Sequence, residues 1–84
     1  MNEILAQERA KNKDAIICSV AENICVQISE FKGKKRIDIR KWWKNRETGK
    51  WLRSKNGLNI VLDEWDYFVS NIKEVDAFVR KNIE

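Results

Sequence analysis

From Lys32 to Lys55 the chain carries eleven Lys or Arg against two acids, Asp38 and Glu47, a local charge of +9 inside a protein whose net charge is +4. The flanks are mildly acidic: residues 1–31 sum to −2 and residues 63–84 to −3. Phe31, Trp42 and Trp43 are interleaved with these cations. That combination suits a single-stranded nucleic acid, because cations neutralise the backbone and a flat ring stacks on any base whatever the sequence. The candidate binding residues are Phe31, Lys32, Lys34, Arg36, Arg40, Trp42, Trp43, Lys50, Arg53 and Lys55.

Other chemistries find little support. The chain has no His, no Gly-rich phosphate loop and no nucleophile beside a base, so it does not read as an enzyme and calls for no cofactor. Asp63, Glu64 and Asp66 sit where a helix should begin, which makes them complements to its dipole rather than a metal site. Cys18 and Cys25 lack zinc or redox spacing and are expected as free, partly buried thiols. The apolar run Ile4, Leu5, Ala6 is too short for a leader or a membrane span, so a cytoplasmic protein is expected, or a nuclear one in a eukaryote.

The elements that must position the basic segment follow from hydrophobic period. Residues 1–14 lack a sustained apolar stripe and are expected as a mobile tail or a short helix, with one domain over residues 15–84. Ala15–Val20 reads as a short strand. Ile24, Val26 and Ile28 alternate with Cys25, Gln27 and Ser29, the period of a sheet with one wet face, and parity puts Phe31 on that face. Lys32-Gly33 closes a hairpin into a long strand with Ile37 and Ile39 inward. Simple alternation then leaves Trp42 on the wet face with Arg40 and turns Trp43 inside.

A further strand is expected over Lys50–Ser54, a turn at Asn56-Gly57, and a last strand over Leu58–Leu62. Asp63 is a capping candidate for one long C-terminal helix, uninterrupted by Gly or Pro. Trp65, Phe68, Ile72, Val75, Phe78 and Val79 give that helix more apolar surface than one sheet can cover, so they are candidate homodimer contacts. The fold class is therefore α+β: a curved four-stranded antiparallel sheet with a short N-terminal strand or arm, then one long helix, as a homodimer.

From about Ile24 onward the chain resembles the single-stranded-DNA-binding domain of the transcriptional coactivator family called positive cofactor four. The resemblance rests on Phe31-Lys32-Gly33-Lys34, Ile37-Asp38-Ile39-Arg40 ending in Trp43, Gly57-Leu58-Asn59-Ile60, Trp65, and Val79-Arg80-Lys81. It implies paired subunits whose strands form ridges for opposite-running single strands. The family's binding positions would fall on Phe31, Lys32, Lys34, Arg40 and Trp43, with Lys55 replacing a similar basic residue. Here the resemblance exposes Trp43, against simple alternation. Leu52 and Asn56 stand where family members often carry lysine, and Arg46, Lys50 and Arg53 are neighbours that could restore the charge.

The expected partners are thus single-stranded DNA, then duplex DNA with unpaired regions or RNA, a second copy of the chain, and transcription or replication proteins. Without the Ser-rich tail of the eukaryotic coactivator, the resemblance points to a bacterial or phage homologue.

Overall fold

The computed structural model describes residues 2–83. Its elements run α1 (Glu3–Lys11), β1 (Ile17–Ala21), β2 (Ile24–Phe31), β3 (Lys34–Lys44), β4 (Trp51–Val61), α2 (Leu62–Ser70) and α3 (Ile72–Ile83). The four strands form an antiparallel meander in chain order. The β2–β3 hairpin closes on two residues, Lys32 and Gly33, with φ of 52° and 78°. Two left-handed positions in succession match the right-handed twist of the flanking strands, which is why a glycine belongs there.

Register divides the sheet into two faces. One carries Ile17, Cys25, Gln27, Phe31, Lys34, Arg36, Asp38, Arg40, Trp42 and Arg53; the other carries Ile28, Ile37, Ile39, Leu58, Ile60 and Trp43. Each face is covered by a different helix. The second face meets α2, which contacts β3 and β4 and seals Ile37 and Ile60. The first face is covered at one end by α1, where Ile4, Ile17, Cys25 and Trp42 form a buried cluster with Leu5 and Trp51 packed against it.

Of the two alternatives for the N-terminal segment, a tail or a short helix, residues 3–11 adopt the short helix, and it is docked on the core rather than free of it. Asn2 caps α1 through its side chain, accepting from the N–H groups of Ile4 and Leu5, and Ile4 is 0% exposed. Gln7 then treats the β4 edge as a neighbouring strand would: its amide donates to the Trp51 carbonyl at 2.9 Å and accepts from the Trp51 N–H at 2.7 Å. The apolar anchor is only Ile4 and its neighbour Leu5, with polar side chains doing the rest, too sparse to register as an amphipathic period.

Two expectations need correction. Lys50–Ser54 and Leu58–Leu62 are not separate strands about an Asn56-Gly57 turn; one strand, β4, runs through from Trp51 to Val61. Arg40 pairs with Gly57 and Trp42 with Arg53, so the single residue Lys41 faces the three residues Ser54, Lys55 and Asn56 in a bulge. The two extra residues preserve alternation, so Ile60 is buried near one end of β4 and Trp51 packs against the α1 cluster at the other, while Leu58 stays 52% exposed.

The single long C-terminal helix is likewise two helices. Ser70 Oγ and Asn71 Nδ2 both donate to the Tyr67 carbonyl at 2.8 Å, and the Asn71 N–H turns to the Phe68 and Val69 carbonyls instead. Side chains competing for backbone acceptors interrupt the ladder without any Gly or Pro. The cap also differs: Val61 holds the N-cap position with no side-chain bond, while Asp63 and Glu64 lie inside the first turn of α2.

Candidate nucleic-acid interface

The hairpin tip presents the first group of candidate residues. Phe31 ends β2 with 59% of its surface exposed, and the Lys32 ammonium lies 5.3 Å from its ring centroid. Lys34 pairs across from Phe31, placing a second cation on the same face. Lys34, Lys35, Lys41, Arg46, Lys50 and Lys55 make no ion pair among the described residues, so their charge is directed at solvent. Arg36, further along β3, is half-buried and donates to the Asn59 side chain at 3.2 Å.

The bulge carries the second group. Arg40 Nη1 donates to the Ser54 carbonyl at 2.7 Å and the Lys55 carbonyl at 3.2 Å, satisfying bulge acceptors that the ladder leaves open. Arg40 Nε and Nη2 both bond Asp38, and Arg53 Nη2 reaches the same carboxylate at 2.8 Å. Asp38 is 3% exposed, so the sheet keeps one buried acid beneath two arginines. Gly57 makes the arrangement feasible: a Cβ there would sit 2.8 Å from Arg40 Nε and 3.1 Å from the Ile39 carbonyl. The sequence marked Arg40 and Arg53 as cations but did not foresee that Asp38 ties them together.

The adjacent tryptophans take opposite environments. Trp42 is 3% exposed, beneath α1, and offers no ring face to a ligand; Trp43 is 49% exposed, beside Leu52 on the facing strand. Alternation had the sides right and the covering wrong. Trp42 does share a face with Arg40, but α1 makes that end of the face interior, so no bulge in β3 is needed to expose Trp43. Trp43 lies nine residues along β3 from the Phe31 partner Lys34, roughly 30 Å at strand rise. The two exposed rings therefore stand far apart and on opposite faces of the sheet.

At the α1 end, Trp51 Nε1 donates to Glu3 at 2.9 Å and Lys44 lies 3.5 Å from the same carboxylate. These two partners, the indole first, hold the Glu3 carboxyl below its usual range. Among the candidate dimer residues, Trp65 and Phe68 stack at 5.6 Å and are half-buried, whereas Ile72, Val75, Phe78 and Val79 stand exposed. No described residue of α3 is buried.

Comparison with known proteins fits this architecture. The family model described as Transcriptional Coactivator p15 (PC4) matches residues 18–71. The RNA polymerase II transcriptional coactivator KELP of Arabidopsis thaliana is 34% identical over 68 residues, covering 81% of this chain. KIWI, a coactivator of the same description from that plant, is 25% identical over 71 residues and covers 84% of this chain. The chain spans 40% of the length of KELP and 64% of KIWI. These plant relatives give no support to the expected bacterial or phage source.

Among solved structures, a MoSub1–DNA complex aligns with a TM-score of 0.62 at 23% identity, over 83% of this chain and 87% of the other. A MoSub1–ssDNA complex aligns at 0.63, also at 23% identity, over 83% and 82%. That likeness carries the fold, and the matched segment spans every strand from within β1 through α2, leaving α1 and α3 outside it. With the sheet, the hairpin motif and the helix start all inside one family model, the chain belongs to the Transcriptional Coactivator p15 (PC4) family.

Proposed function

We propose that this protein binds single-stranded DNA with little sequence preference and acts as a transcriptional coactivator, working as a homodimer and without catalysis. The observation that carries the reading is Phe31, a large ring left 59% exposed at a hairpin tip and flanked by Lys32 and Lys34. A monomeric core has no use for such a ring, whereas a base stacked on it is held by the same cations that neutralise its phosphates. Arg53 lies on the same face as Phe31 and Lys34 toward the other end of the sheet, Lys50 and Lys55 add exposed charge along the same chain segment, and Trp43 offers a second exposed ring on the opposite face. That solved relatives of this fold hold DNA supports the choice of ligand. A coactivator would also meet transcription proteins, in the nucleus of a eukaryotic cell.

The dimer is supported by apolar surface that none of the described residues covers. A groove of about 590 Å³ runs between sheet and helices, lined by Ile60, Tyr67, Phe68, Ile72 and Val75, and it continues into the exposed Phe78 and Val79. A second copy offering the same stripe is the self-complementary solution. Sedimentation should give a dimer, and Phe78→Asp a monomer.

Binding is tested by titrating labelled dT, duplex and RNA oligomers at several salt concentrations. Affinity for dT should fall with a slope of about −0.7 in log–log form for each phosphate neutralised. A salt-independent affinity, or preference for duplex over dT, sinks the proposal.

A further inference from the structure

A buried carboxylate is the wrong charge for a face that holds a polyanion. Asp38 sits there nonetheless, 3% exposed, with both oxygens engaged: Oδ1 accepts from Arg40 Nη2 at 2.9 Å, and Oδ2 from Arg53 Nη2 at 2.8 Å and Arg40 Nε at 3.3 Å. The two arginines it holds are not equivalent. Arg40 has its Nε, Nη1 and Nη2 committed to Asp38 and the bulge carbonyls, and its side chain is only 18% exposed. Arg53 gives a single N–H donor group, Nη2, to Asp38; its side chain is 47% exposed, and its Nε and Nη1 have no acceptor among the described residues.

A guanidinium is a planar fork, so fixing one arm fixes the plane in which the opposite edge can bind a second anion. We infer that Asp38 is a positioning residue: it grips Arg53 by one arm so that the free edge faces a backbone phosphate, while Arg40 locks the bulge from which Lys55 projects. The inference rests on the single-strand reading above, and it reverses the roles that the family resemblance implies. Arg53 meets the phosphate, and Arg40 acts through the backbone of β4.

Charge counting and positioning predict opposite signs for one substitution. Asp38→Asn makes the face more positive, so charge alone would tighten binding; loss of the grip on Arg53 should weaken it. Arg53→Gln, at an exposed position, should cost roughly tenfold or more in dT affinity and lower the salt slope by about 0.7 per site. Arg53→Lys should restore the slope without the full affinity, since an ammonium cannot bridge carboxylate and phosphate in one plane.

Thermal melts accompany each variant. If Asp38→Asn does not fold, the two Arg53 variants decide alone. An unchanged slope in Arg53→Gln, or a folded Asp38→Asn that binds dT as tightly as the parent, overturns the inference. A parent protein that shows no salt-dependent dT binding fails earlier, at the reading beneath it, and is recognised by that.

Discussion

Trp42 and Trp43 are neighbours in sequence with opposite exposure, so truncating each should disturb a different measurement. Trp42 is 3% exposed within the Ile4, Ile17 and Cys25 cluster, and Trp→Ala at such a site costs about 3–5 kcal/mol. For a domain of this size that lowers Tm by at least ~12 °C. Trp43 already has 49% of its surface in water, so truncation forfeits about half as much, roughly 1.5–2.5 kcal/mol of stability. Its binding cost is of the same size. Stacking contributes about 1–3 kcal/mol per base, which is roughly 5- to 150-fold in affinity for dT.

The assay pairs anisotropy of a labelled dT oligomer with thermal melting. Trp42→Phe is the folded control: it keeps most of the ring volume and removes an indole N–H that has no acceptor among the described residues. It should bind dT like the parent, and Trp43→Phe should retain part of the stacking. Trp43→Ala binding dT within twofold of the parent would refute the assignment of Trp43 as a stacking platform. So would a Trp42→Phe variant that melts normally yet loses dT affinity. Phe31 lies far enough away that Phe31→Ala and Trp43→Ala should add in free energy to within about 0.5 kcal/mol.

Gly57→Ala should destabilise the fold by about 1–3 kcal/mol in chemical denaturation, because the new methyl meets a pinned guanidinium and a backbone carbonyl. Ile4→Ala should cost about 2–5 kcal/mol by the same measurement, a loss that a free tail could not produce. Of the two thiols, Cys18 is exposed and should react promptly with a thiol reagent; Cys25, whose pKa is pushed up chiefly by burial, should react only as the protein unfolds. Glu3 titrates below its usual range when folded, so its help in docking α1 is present above the ordinary carboxylate pKa and is lost as pH falls through the lowered one. The Trp51 indole N–H resonance should shift through that acid window, and Glu3→Gln should abolish the shift.

Alternation in β2 and β3 was legible because period-2 patterning depends only on neighbouring residues, and Lys32-Gly33 announced its turn by backbone chemistry alone. The bulge in β4 was not legible in the same way. Asn56-Gly57 carries a strong local turn signal, yet the glycine answers a tertiary demand, space for the Arg40 side chain from the adjacent strand. The break at Asn71 similarly arose from side-chain bonds to one carbonyl, which composition and periodicity do not encode.

The tryptophan pair shows most clearly where local rules stop. Parity can say that Trp42 and Arg40 share a side, but not which parts of that side are wet. That depends on whether a distant segment arrives to cover them, and the segment that does, α1, is held by one buried isoleucine, an Asn cap and two Gln7 bonds to the edge of β4. Its polar anchors have no hydrophobic period to betray them. Coverage by α1 is therefore what buries Trp42, and the reach of α1 and α2 along the two faces is what leaves Phe31 and Trp43 exposed.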